Sequence, residues 1–502
     1  MTPLFQWLND RAAGVLLHPT SLPGLTGIGT CGPAAYQFID FLAESGIKYW
    51  QVLPLGPTGF GDSPYQCFSA FAGNPYLIDL ELLTEQEFLA EEDLKPLRAL
   101  GSHRVNYGEQ WVLRWPILKK AFLNFSKNAS PASRKEFSAF RRERKEWLEP
   151  YTRFIALKGR FEGRSWQEWP EDLRHHTKAK KLVKKSDLGD EVDAHAWYQF
   201  QFFQQWLALK KYANSRGISI VGDIPIFVAM DSADVWMHPS LFQMNKRLQP
   251  LGVAGVPPDY FAADGQLWGN PLYDWPKHQA AHYAWWLARL RASFELYDVV
   301  RVDHFRGFDE YCQIAPNAPN ARAYKWLPGP GLSLFKAFKT DYPEAKLIAE
   351  DLGVITDSVR ALVEATGAPG MKILQFGFEG ATEYLPHKTI PNSVLYPGTH
   401  DNDTAWGWFR KLSPTVQHFF REYLKVSGDD IAWDMIRAGY ASESRLFIVP
   451  MQDLLNLGTE ARTNTPGIAI GNWQWRFTSD QLEILRRERS AYLKELATAN
   501  HR

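Results

Sequence analysis

Eight short apolar runs, most of them preceded by a helical segment, constrain this chain more than anything else in its sequence. They are Gly14-Val15-Leu16-Leu17, Tyr49-Trp50-Gln51-Val52-Leu53-Pro54, Ile218-Ser219-Ile220-Val221-Gly222-Asp223, Val299-Val300-Arg301-Val302-Asp303, Lys346-Leu347-Ile348-Ala349-Glu350, Met371-Lys372-Ile373-Leu374, Ser393-Val394-Leu395-Tyr396 and Leu446-Phe447-Ile448-Val449. Their β-branched and aliphatic composition is that of buried strands. The first helix opens at Gly32-Pro33, where proline wastes no donor, and Gly46 stops it. Helical spacing over 197–207, 285–294, 334–338, 357–366 and 429–442 precedes the third, fourth, fifth, sixth and eighth runs. Strand, helix, strand implies a right-handed crossover and parallel pairing. Eight strands so connected are the count of a closed (β/α)8 barrel, an α/β fold. An open doubly wound sheet is the rival, but no GxGxxG follows any strand.

The second run ends near Pro54 and the third begins near Ile218, an interval far too long for a plain βα loop. Helical spacing recurs inside it at 85–100, 109–125 and 134–156, followed by a basic run at 178–185. Three units are therefore expected. Residues 1–54 and 218–502 form the barrel, and 55–217 form a mainly helical insert over its mouth. Residues 240–275 form a lid loop inserted within the barrel. After the eighth run a capped amphipathic helix begins at Ser479, with Leu482, Leu485, Tyr492 and Leu496 on one face.

Charge and cysteine content exclude several classes. Lys+Arg 56 balances Asp+Glu 56, so no net field draws nucleic acid or an anionic membrane. The Lys-rich run then reads as a solvated face. Cys31, Cys67 and Cys312 are scattered with no CxxC pair, which argues against a disulfide scaffold or structural zinc and fits a reducing, cytoplasmic setting. The first residues lack a basic n-region, and no apolar stretch approaches the ~18 residues of a membrane span. Aromatics at 14%, with Trp 20, suit sugar stacking and large cores about equally.

In a barrel of this type, active residues sit just past the C-terminal strand ends. Three carboxylates stand there: Asp303 in Arg301-Val302-Asp303-His304, Glu350 in Ala349-Glu350-Asp351, and Asp401 in Thr399-His400-Asp401-Asn402. A strand alternates faces, so Arg301 and Asp303 point the same way. A guanidinium beside a carboxylate favours its ionised form, as a nucleophile needs. A structural Arg–Asp pair capping a strand is the competing reading. Glu350 follows a greasy strand, where desolvation raises a carboxyl pKa and lets it donate a proton. Two acids of unlike environment are what glycosidic bond cleavage requires.

The motifs as a set resemble the 4-alpha-glucanotransferase (amylomaltase, disproportionating enzyme) family of the α-amylase clan, over nearly the whole chain. They include Leu17-His18-Pro19-Thr20-Ser21-Leu22-Pro23, Gly61-Asp62-Ser63-Pro64-Tyr65-Gln66 and Ser69-Ala70-Phe71-Ala72-Gly73-Asn74-Pro75. Gly222-Asp223-Ile224-Pro225, Gly255-Val256-Pro257-Pro258-Asp259-Tyr260-Phe261 and Gly265-Gln266-Leu267-Trp268-Gly269-Asn270-Pro271 follow. The three acid motifs, Asn464-Thr465-Pro466-Gly467 and Gly471-Asn472-Trp473 complete the set. The resemblance implies Asp303 as nucleophile, Glu350 as acid/base and Asp401 as transition-state stabiliser of a retaining double displacement on α-1,4-glucans. It also implies a barrel without the clan's C-terminal β-sandwich. Arg301 is implied to orient Asp303, His304 and His400 to bind the sugar, Tyr65 and Trp268 to stack, Asp223 to hold a hydroxyl, and Asn270 to contact substrate. Tyr260 and Phe261 are implied to cover the cleft and favour a sugar acceptor over water. Neither a metal nor an organic cofactor is expected, since two acids and bound substrate suffice. Maltooligosaccharides are the expected partners, with the chain a monomer or simple homo-oligomer. An α-1,4-glucan hydrolase of the same clan and an inactive carbohydrate-binding barrel remain the alternatives.

Overall fold

The computed structural model describes residues 2–184, 186–258 and 264–502. Its strands in chain order are β1 (Ala12–Leu16), β2 (Tyr49–Gln51), β3 (Ser219–Pro225), β4 (Val253–Val256), β5 (Gln266–Pro271), β6 (Val299–Asp303), β7 (Glu310–Ile314), β8 (Tyr324–Pro328), β9 (Leu347–Ala349), β10 (Gly370–Ile373), β11 (Ser393–Tyr396) and β12 (Leu446–Pro450). Eight of them close a parallel barrel in the order β1-β12-β11-β10-β9-β6-β3-β2. These are the eight apolar runs, in sequence order around the ring, as a (β/α)8 barrel requires.

Alternation sorts each strand between two buried surfaces. Val299, Ile348, Met371, Ile373, Val394, Leu446 and Ile448 fill the barrel interior. Val300, Val302, Leu347, Ala349, Leu395 and Phe447 belong to the larger cluster packed with the surrounding helices. Arg301 is two residues beyond Val299 and therefore points inward, where its Nε lies 3.3 Å from Met371 Sδ. Gly222 on β3 has no room for a side chain: a Cβ there would lie 2.1 Å from the ring of buried Tyr297. Gly222→Ala is expected to cost about 1–3 kcal/mol by overpacking. A urea midpoint equal to that of the parent would contradict the close packing of β3 on Tyr297.

Between β2 and β3 the chain is mainly helical, including Tyr107–Asn128, Pro131–Glu143, Lys145–Arg160 and Gly189–Ser215. The single helix expected over 134–156 is broken at Arg144, whose φ/ψ of −106°/15° is non-helical. The guanidinium of Arg144 lies over the Phe140 and Phe203 rings, 4.9 Å from each, so a ring contact fixes the bend. The helix Gly189–Ser215 packs on the inserted helices and also on the barrel helix Pro33–Glu44, bridging the two layers.

The lid segment 240–275 is not a plain loop. It contributes β4 and β5 to a four-stranded antiparallel sheet of order β5-β4-β7-β8. Tyr260 and Phe261, assigned to the cover from sequence, lie outside the described residues. The tryptophan enrichment is largely a core property, with Trp50, Trp166, Trp197, Trp206, Trp236 and Trp286 all under 2% exposed. Among the described residues no strand follows β12. The final helix, Ser479–Ala499, carries the expected capping box between Thr478 and Gln481.

Candidate active site

Register brings the first two acids together. β3 and β6 pair with Asp223 beside Arg301 and Pro225 beside Asp303. β6 and β9 pair with Val302 beside Ala349. Asp303 and Glu350 are each the next residue, so they stand side by side at adjacent strand ends. After Asp303 the chain turns sharply, because His304 adopts the left-handed conformation at φ 53°, ψ 48°. That is an unfavourable region for a residue with a Cβ, and such residues concentrate at functional sites. The turn aims the His304 amide at Glu350 Oε2, to which it donates at 2.7 Å. The Leu352 amide donates to Glu350 Oε1 at 2.9 Å. Both carboxyl oxygens of Glu350 are thus held by backbone amides, which fixes the orientation of its side chain.

The two acids have different electrostatic surroundings. Burial, and next the charge of Asp303, push Glu350 up to about 7. Arg301 and the two amides oppose that rise without cancelling it. Asp303 faces the Arg301 guanidinium, with Nη1 3.1 Å from Oδ1. The same Nη1 lies 2.6 Å from Asp223 Oδ2. Asp223 is fully enclosed, and burial pushes it up to about 7 against the pull of Arg301. Its Oδ2 also accepts from the Tyr65 hydroxyl at 2.9 Å. Its Oδ1 has no hydrogen-bond partner among the described residues.

The third acid joins through rings. Tyr65 stacks on His400 at 5.1 Å and 16°. His400 Nε2 lies 3.2 Å from Asp401 Oδ1. One unbroken series of contacts therefore runs Asp303–Arg301–Asp223–Tyr65–His400–Asp401. With Glu350 at the strand end next to Asp303, it gathers the three acids at one mouth of the barrel, although Asp303 and Asp401 are far apart along the chain.

Burial, with Arg306 adding, lowers His304 to about 3, so its ring is neutral. Its Nε2 has no hydrogen-bond partner among the described residues, and its ring meets Trp268 edge-on at 4.9 Å. His400 is lowered by burial as well, with Asp401 opposing. Trp268 is half-buried, with Nε1 donating to Gln266 Oε1 at 3.1 Å. Asn270 is buried. It accepts from Gln66 Nε2 at 3.2 Å and donates to the Val228 carbonyl at 2.9 Å, tying β5 to the loops after β2 and β3.

Sequence reading gave no role to Asn464, whose Nδ2 donates to Asp401 Oδ1 at 2.6 Å. Nor did it give one to Trp473, whose ring lies 5.9 Å from His400 and 6.0 Å from Tyr65. Both lie within motifs noted above, but spacing along the chain carries no signal of these contacts.

A carboxyl that still holds its proton near pH 7, beside a carboxylate paired with arginine, has the chemistry to act as an acid and nucleophile pair. The raised Glu350 fixes a pH dependence. Above about 7 it loses its proton, so a kcat/KM that depends on that proton is expected to fall about tenfold per pH unit. Glu350→Gln is expected to flatten that limb and to lower the rate by about 10²–10⁴-fold. An unchanged alkaline limb in the Glu350→Gln variant would show that another group sets it.

A family model described as 4-alpha-glucanotransferase matches residues 17–482. The chain is 47% identical to the 4-alpha-glucanotransferase of Thermus thermophilus, over 98% of this chain and 99% of that one. It is 44% identical to a 4-alpha-glucanotransferase of Streptococcus pneumoniae, over 95% of each. Its structure is similar to the amylomaltase of Streptococcus agalactiae in complex with acarbose, at TM-score 0.93 and 40% identity, covering 98% of this chain and 100% of that one.

Proposed function

The chain belongs to the 4-alpha-glucanotransferase family, and from that premise we propose that Asp303, Glu350 and Asp401 carry out its glucan transfer. It is an enzyme of the 4-alpha-glucanotransferase type, a glycosyltransferase rather than a carbohydrate-binding barrel. The observation that carries the residue assignment is the side-by-side placement of Asp303 and Glu350 in unlike surroundings.

In the first step Asp303 attacks the anomeric carbon of an α-1,4-linked glucosyl unit. Glu350 gives its proton to the departing 4-oxygen. Arg301 keeps the Asp303 carboxylate in line, and Asp401 holds sugar hydroxyls while positive charge develops at the anomeric carbon. In the second step Glu350, now a base, takes the proton from the 4-hydroxyl of an acceptor. That oxygen displaces Asp303, and two inversions give net retention. Neutral His304 and His400, Asp223 and the Tyr65 and Trp268 rings line the sugar subsite, and Asn270 holds β5 beside it. The orphaned oxygen of Asp223 and the orphaned Nε2 of His304 support this, since each is a buried polar atom suited to a sugar hydroxyl. Tyr260 and Phe261 keep the covering role that the family pattern gives them.

Residues 1–54 and 218–502 act as the catalytic barrel, 55–217 as the helical cover and 240–275 as the lid. The substrates are maltooligosaccharides, and an acarbose-like inhibitor binds the same cleft. The chain works without nucleic acid, as a monomer or simple homo-oligomer. Its free thiols Cys31, Cys67 and Cys312 suit the cytoplasm. No helix among the described residues is long and apolar enough to cross a membrane.

Maltotriose tests the reading. Transfer yields glucose together with a ladder of longer oligosaccharides. Glucose and maltose with no longer product would make the chain a hydrolase instead.

A further inference from the structure

The loop 397–404, which follows β11, carries His400 and Asp401 and is partly self-supporting. Asn402 Oδ1 accepts from the Thr399 amide and from the Thr399 hydroxyl, each at 2.9 Å. That turn fixes the loop's path but leaves the Asp401 carboxylate free to rotate, with its side chain 45% exposed. The restraint comes from a segment 63 residues away. Asn464 Nδ2 donates to Asp401 Oδ1 at 2.6 Å. The Asn464 amide donates to the His400 carbonyl at 3.1 Å. Arg462 Nη2 donates to the Asp401 carbonyl. Its Nε donates to the Asn464 carbonyl at 2.8 Å, which joins the two grips into one. Gln452, just after β12, anchors that segment by donating to Thr463 Oγ1 at 2.7 Å.

We propose that Arg462 and Asn464 are positioning residues for the reaction: they clamp the His400–Asp401 pair so that one carboxylate oxygen of Asp401 is engaged by protein and the other faces the sugar. Asp401 Oδ1 is approached by both Asn464 Nδ2 and His400 Nε2. Oδ2 is then the oxygen offered to the glucosyl ring. A carboxylate acting on a developing positive charge is effective only if it is oriented before the charge appears. Arg462 fixes the backbone and Asn464 fixes the side chain, so neither alone is sufficient. The proposal rests on the reading of Asp401 as the third acid.

A double-mutant cycle with Asp401→Asn tests it, read on maltotriose disproportionation. Asn464→Ala alone should lower kcat about 10- to 100-fold, the size of one charge-assisted hydrogen bond, with KM little changed. In the Asp401→Asn background the same change should cost less than about threefold, because the group it acts through is gone. Equal costs in the two backgrounds would overturn the proposal, whatever the variants' thermal stability. Asn464→Asp keeps the shape and adds a second carboxylate against Asp401. It should move the acid limb of kcat/KM to higher pH, since two neighbouring carboxyls share a proton. An unmoved acid limb would also overturn it. If Asp401→Asn itself keeps full activity, the reading of Asp401 fails, and that result is separate from additivity of the two losses.

Discussion

Asp303→Asn is expected to abolish glucan transfer while leaving the barrel folded. The expected loss is about 10⁵-fold or more, on the scale seen when an enzyme's nucleophile is removed. An amide oxygen cannot form a glucosyl ester that a second sugar can displace, so the first half-reaction has no productive end. The fold should not notice. The Asp303 side chain is 28% exposed, and its ion pair is with Arg301, whose Nη1 keeps its shorter contact to Asp223 at 2.6 Å. Asn is isosteric and still offers Arg301 an oxygen. The thermal midpoint is expected to stay within a degree or two of the parent. A fluorinated glucosyl donor should label the parent on the peptide bearing Asp303 and leave the Asp303→Asn variant unlabelled. Longer oligosaccharides made from maltotriose by that variant, above the level of a mock preparation, would remove Asp303 from the nucleophile's role.

The barrel was legible because each of its strands is buried on both faces and so reads as a continuous apolar run. The first two acids were legible for the same reason: charge that breaks an apolar run, as at Asp303 and Glu350, marks the strand's end. The antiparallel sheet was not legible. β8 (Tyr324–Pro328) is mostly exposed and shows no buried face to the reader. β4 also pairs with β7, across the intervening β6, so no local pattern announces it. The aromatic content could not choose between core and subsite, because enclosed Trp50 and half-buried Trp268 are the same residue type in different surroundings. Tyr65 shows what contact adds to motif. Its motif suggested stacking, while its geometry makes it a joint, with the hydroxyl on Asp223 and the ring on His400.

Arg301→Met should be the most destabilising single change at the site. The Arg301 side chain is 5% exposed and lies between the Asp303 carboxylate and Asp223, whose own side chain is 0% exposed. Removing one member of a buried ion pair leaves its partner uncompensated, at a cost of about 3–5 kcal/mol. Burial already pushes Asp223 up to about 7 in the presence of the guanidinium. Without Arg301 that acid rises further, and ionising it costs the folded state more. A carboxyl raised above its unfolded value stabilises the fold while protonated and withdraws that stability as pH climbs through the folded value. The gap in thermal midpoint between the parent and the Arg301→Met variant should therefore be wider at pH 8 than at pH 5. Transfer activity falls too, because Asp303 loses the contact that holds it in line. Adding Asp223→Asn distinguishes an unpaired charge from a simple packing defect. The double variant removes the stranded carboxylate, keeps an oxygen for the Tyr65 hydroxyl, and should recover part of the stability lost at pH 8. A double variant no more stable than Arg301→Met alone would mean that the guanidinium's fit, not its charge, holds this part of the barrel together.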